Sequence, residues 1–258
     1  MLKKINRYPT NRLMLNITFY LIVVTYLYSM FIYPLISTGF DWGRIQNIWD
    51  RWQGLNVGML AFSSSVIAFS ISKYNAESQR KREFLSARAF LPAALSELND
   101  YFKNVAVYFN GLLKKTDVYG DTYVNIPKQP AGFKNVFENC IRHATPEIGD
   151  YLADILSKLQ VIDARINPEK LTDKALISYQ PIILPTNLII YTFNLGELAC
   201  MVNKAFSIGR GKELNLEYPD WEEFLSAYHQ LKIYPEKFTY NEKYSLELIT
   251  KQHIKKNK

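Results

Sequence analysis

Two long stretches without a single charged side chain govern what this sequence can fold into. Between Arg12 and Asp41 lie 28 uncharged residues, and between Arg51 and Lys73 another 21. A helix rises about 1.5 Å per residue, so roughly 20 residues cross a hydrocarbon layer about 30 Å thick. Both stretches are long enough. They predict spans over 13–37 (LMLNITFYLIVVTYLYSMFIYPLIS) and 52–72 (WQGLNVGMLAFSSSVIAFSIS), with 38–51 as a short outer loop. Mean hydropathy over the whole chain is only -0.13, because 73–258 is a polar body. The fold expected is an all-α membrane protein. An N-terminal two-helix transmembrane hairpin (1–72) leads into a long juxtamembrane helix and a cytosolic helical bundle (73–258).

A secretory signal peptide is the competing reading of the first stretch. Its apolar run exceeds the usual length of about 7–15 residues, and no A-x-A site follows it. Orientation comes from the Lys/Arg bias at the span ends. Lys3, Lys4, Arg7 and Arg12 precede the first span, and Lys73, Arg80, Lys81, Arg82 and Arg88 follow the second. Arg44 and Arg51 in the connecting loop are offset by Asp41 and Asp50. Both termini are therefore expected in the cytoplasm, with multi-pass membrane insertion and Trp42, Trp49 and Trp52 at the outer interface. Of the net charge of +7, residues 1–72 hold +4 and the body only +3. Composition thus gives the body no claim to nucleic acid and points to membrane lipids as a partner.

The second span is the more informative one. Gly54, Gly58, Ala61, Ser65, Ala68 and Ser72 recur at a 4-3-4-3-4 spacing, which puts small residues on one helix face. In lipid, close backbone approach across small residues draws helices together, and Gly54-x-x-x-Gly58 opens such a seam. A second polar row carries Asn56, Ser63 and Ser70, polar groups that are costly against lipid and so call for a helix or water. Two uses remain open: packing against the first span, or self-association with the polar row lining a pore.

In the body, Leu91, Leu95, Leu98, Phe102, Val105, Phe109 and Leu112 follow a 4-3 rhythm typical of a bundle seam. The second span is expected to run on through Lys73 into this helix, with Pro92 kinking it or starting a new one. Thr116–Pro130 reads as turn-rich, with room for a short hairpin. Phe133, Val136, Phe137, Cys140 and Ile141 resume a helix, and Thr145-Pro146-Glu147 is a strong start signal for the next. Ile148, Tyr151, Leu152, Ile155, Leu156, Leu159, Ile162 and Ile166 then share its face. The charge-free run 175–196 contains Pro181, Pro185 and three amide side chains, so it predicts a buried core helix from about Thr186 to Phe206 in place of a third span. Asp220 and Glu223 form a capping-box pattern ahead of a short helix to Leu231. A basic helix or frayed end closes the chain.

Catalytic chemistry finds no foothold. His143, His229 and His253 stand in unrelated contexts. Cys140 and His143 have ligand-like spacing, which Cys200 and His229 would have to complete without zinc-finger spacing. Ile208–Lys212 lacks the full phosphate-loop pattern and reads as a helix end and turn. No enzyme, cofactor or metal is expected, and two distant cysteines fit a reducing cytosol. Arg80, Lys81, Arg82 and Arg88 read as a lipid-headgroup contact or a docking surface, with Tyr74 and Phe84 as stacking groups beside them.

The spans 13–37 and 52–72, followed by SQRKREFLSARAFLPAALSELNDYF, give a layout that resembles the two-transmembrane effector proteins of bacterial anti-phage retron systems. That resemblance implies a toxic membrane protein held inactive by a reverse transcriptase with its RNA–DNA hybrid. Release on infection would let the spans self-associate and breach the bacterial inner membrane, the location that the resemblance implies. The alternative from a different class is a passive membrane anchor or scaffold for a cytosolic protein or nucleoprotein complex.

Overall fold

A computed structural model describes residues 9–115, 126–166, 184–241 and 244–257. The described residues are all-α in class, about 84% helical, and two of their helices are long and apolar enough to span a membrane. The chain divides into two compact units, Met1–Asn75 and Ala76–Lys258.

The first unit opens with α1 (Pro9–Leu27), which widens into a π-helical turn at Tyr28–Ile32 and resumes as α2 (Tyr33–Ser37). The physical cause is Pro34, whose ring nitrogen cannot donate to the carbonyl of Met30. Around it the hydrogen bonds lengthen by one residue, with Tyr33 N–H donating to Tyr28 O. A turn at Gly39 and Phe40, both at positive φ, ends this run. What the sequence presents as a loop is then mostly helix: α3 covers Trp42–Arg51. Asp41 caps it, its side chain accepting from the N–H groups of Gly43 and Arg44. The apolar spacing of Ile45, Ile48 and Trp49 gives α3 an inner face, on which Ile45 is 1% exposed.

α4 runs from Gln53 to Lys115. Pro92 lies inside it without starting a new helix, which corrects one of the two expectations for that proline. The unit boundary falls within this helix, after Asn75.

The second unit is built on the later part of α4 with α5 (Phe133–His143), α6 (Pro146–Ile166), α7 (Pro185–Gly209), α8 (Trp221–Gln230) and α9 (Leu246–Asn257). Leu91, Leu95, Leu98, Phe102, Val105 and Phe109 are all fully buried, so the 4-3 seam is a core seam. α7 is the hub. Along α4 it is met by Pro92 against Gly209, Asn99 bonding Asn203, and Phe109 against Tyr191, so the two helices run antiparallel. Along α6 the pairs Tyr151–Met201 and Lys158–Glu197 show the same antiparallel sense. Its close approach to α8 depends on Gly196, where a Cβ would strike the Tyr228 ring. The expected core helix over Thr186–Phe206 thus exists and is buried in protein.

Local signals explain the ends. α6 starts at Pro146 with Glu147 in its first turn, and α8 opens with the complete Asp220–Glu223 capping box. α7 stops at Gly209 and turns over Gly211 at φ +73°, as read from Ile208–Lys212. The sequence pattern also gives no sign of a two-stranded antiparallel pair, β1 (Thr239–Asn241) with β2 (Tyr244–Ser245). The hairpin expected within Thr116–Pro130 falls largely outside the described residues.

Candidate functional site

Along the apolar part of α4, Gly54, Gly58, Ala61, Ser63, Ser65, Ala68 and Ser70 are all exposed. A Cβ built on Gly54 or Gly58 meets nothing within 4 Å. Among the described residues nothing packs on Gly54 or Gly58, so these two glycines do not seat the first apolar helix. A hydrogen bond between the two apolar helices lies elsewhere, from Tyr26 Oη to Asn56 Oδ1 at 2.8 Å. Asn56 is half-buried by this contact and leaves the polar row.

The serines also differ from expectation. Ser64, Ser65 and Ser70 donate their hydroxyls back to the carbonyls of Leu60, Ala61 and Val66 at 2.8, 2.9 and 2.8 Å. Such i−4 bonds satisfy the hydroxyl inside its own helix. Ser65, in the small-residue stripe, can then face an apolar neighbour at low cost, so that stripe is small and smooth before it is polar. That shape suits close helix approach more than a hydrophilic lining.

The basic cluster divides. Arg80, Lys81 and Arg82 are exposed, whereas Arg88 is half-buried with its guanidinium over Gly211. Arg88 forms one wall of a cleft of about 560 Å³, together with Phe84, Glu147, Lys212 and Glu213. Two cations and two carboxylates cancel there, so the cleft favours no charged ligand. Phe84 packs against the core, which removes it as a free stacking group, and Tyr74 is 70% exposed. Beside the cluster, Glu83 pairs with His143 Nδ1 at 3.0 Å and accepts from Gln79 at 2.9 Å. Sequence reasoning missed this pair because its members stand far apart in the chain.

The candidate ligand set Cys140, His143, Cys200 and His229 is not gathered into one site, and His143 pairs with Glu83. Cys140 is buried in α5, and burial pushes its thiol up to about 11. Cys200 is raised further by burial, then by Glu223, whose carbonyl lies 3.5 Å from its sulfur. Neither thiol offers a thiolate at neutral pH. The His229 ring lies against Tyr234, and His253 packs 4.4 Å from Phe193. Among the described residues no three His, Cys, Asp or Glu side chains gather as a metal site.

Two contacts that the sequence reading did not pair, Tyr26–Asn56 and Trp49 with Met30, hold the first unit together. A signal for the second was present: Pro34 leaves a carbonyl in need of a donor, and indole N–H groups lie in the adjoining segment. No family model matches the chain, and no curated protein or solved structure matches it.

Proposed function

We propose that the protein is a membrane effector of a bacterial anti-phage, abortive-infection system. A cytosolic partner keeps it inactive, and release lets it perturb the inner membrane. In this reading 13–37 and 52–72 form a transmembrane hairpin, both termini lie in the cytoplasm, and 73–258 receives the signal. The partner is a reverse transcriptase with its RNA–DNA hybrid, following the layout resemblance to retron effectors. The exposed cations Arg80, Lys81 and Arg82 lie where they meet lipid headgroups or that partner.

The observation that carries the reading is the vacant face of α4. A helix that kept its small-residue seam for its own hairpin would cover Gly54 and Gly58, and nothing among the described residues covers them. A second copy is the natural occupant, because only close approach of another backbone uses a glycine-lined face in lipid.

Expression in bacteria tests this. The full chain without its partner should depolarise cells and stop growth. Gly58→Leu or Ser65→Leu should relieve the toxicity while leaving membrane insertion and protein level unchanged. Harmless accumulation of the unaltered chain at the membrane would overturn the effector reading and leave a passive anchor.

A further inference from the structure

The first apolar helix has a defect, and the structure shows what repairs it. Pro34 has no N–H, so the carbonyl of Met30, four residues earlier, has no α-helical donor. Met30 is 4% exposed and Pro34 is also buried, so an acceptor left bare there is costly. The missing donor arrives from another element. Trp49, on α3, donates its indole Nε1–H to Met30 O at 2.9 Å. Its ring is held edge-on by Phe31 at 6.2 Å and by Trp42 at 5.8 Å. Tyr33 N–H is committed to Tyr28 O.

We propose that α3 is a clasp on a proline hinge. The Trp49 indole supplies the hydrogen bond that Pro34 removes, and releasing it frees the π-turn of the first apolar helix to bend. A helix that carries a proline and a π-turn side by side has its weakest backbone bonds at that point. Its local geometry is therefore set by whether α3 is docked. The clasp uses the geometry of the first unit alone, so it stands independently of what the protein does to a membrane.

The test is a double-mutant cycle on the detergent-solubilised full chain. Trp49→Phe keeps a ring and removes the N–H, while Pro34→Ala restores a backbone N–H for Met30. Ile45→Cys reports docking, because Ile45 is 1% exposed on the inner face of α3. Labelling by a water-soluble maleimide is read by mass spectrometry at position 45 alone. With Pro34 present, Trp49→Phe should speed labelling by about tenfold, the effect of losing one buried hydrogen bond. In the Pro34→Ala background, the same change should speed it by less than about twofold. Amide hydrogen exchange of α3 in chains without the added cysteine should follow the same pattern. If Trp49→Phe leaves labelling and exchange unchanged, or raises them equally in both backgrounds, the clasp is overturned. Neither readout depends on toxicity, so failure of the effector reading leaves this test intact.

Discussion

The helix α4 carries the same 4-3 spacing twice, with opposite contents. From Gly54 to Ser72 the repeated positions hold the smallest side chains, and they are exposed. From Leu91 to Phe109 they hold large apolar ones, all fully buried. Periodicity therefore says that a face exists, while residue size says what kind of neighbour it takes. Large side chains bury against their own chain because water drives them there. Small ones gain nothing from that drive, and their use lies in letting another backbone come close.

The contrast can be broken most forcefully at its buried end. Phe102→Ala should cost the body about 3–5 kcal/mol, read as a fall in the denaturant midpoint by near-ultraviolet circular dichroism. A cost near zero would mean that the 4-3 seam is not the core. Gly196→Ala should follow at about 1–3 kcal/mol, because the added methyl enters the Tyr228 ring. That ring cannot easily yield, since its hydroxyl is 2.8 Å from Thr250 Oγ1.

Alkali probes the same core more gently. Cys140 has an ordinary value of 9.0, raised to about 11 by burial, so the folded chain keeps a proton that the unfolded chain releases. Its contribution is complete below pH 9 and is lost as pH rises from 9 towards 11. Urea midpoints at pH 8 and 10 should therefore differ more in the unaltered chain than in Cys140→Ala.

At the exposed end the effects shrink. Tyr26→Phe should lower the melting temperature of the first unit by the loss of about 0.5–1.5 kcal/mol, since Asn56 Oδ1 loses its donor. Gly58→Leu should change monomer stability by less than about 0.5 kcal/mol, because the added side chain meets open space. Chemical crosslinking in membranes should nevertheless lose its dimer band in Gly58→Leu. An intact band would mean that the vacant face is not where copies meet.

Much of this is legible from the sequence. Charge-free length marks the two apolar helices, and the 4-3 rhythm marks the core face of α4. Thr145-Pro146-Glu147 and the Asp220–Glu223 pattern mark helix starts, because capping is settled within one turn of chain. The helix α3 is legible in principle, since Asp41 is a cap residue and Ile45, Ile48 and Trp49 lie at helical spacing. It passes for a loop because its ten residues are short beside the spans that flank it.

Other features needed the folded chain. Phe84 looks free beside four cations, yet it packs on the core, and only the neighbours of α4 decide that. Asn56 looks like part of a polar lining, but Tyr26 holds it. Trp49 looks like an interfacial ring, and its indole turns out to mend the bond that Pro34 breaks. Sequence determined the elements, because hydropathy, helix period and caps act over a few residues. Tertiary structure decided the partners, because a side chain meets a donor or a ring from a distant segment only after the helices have packed.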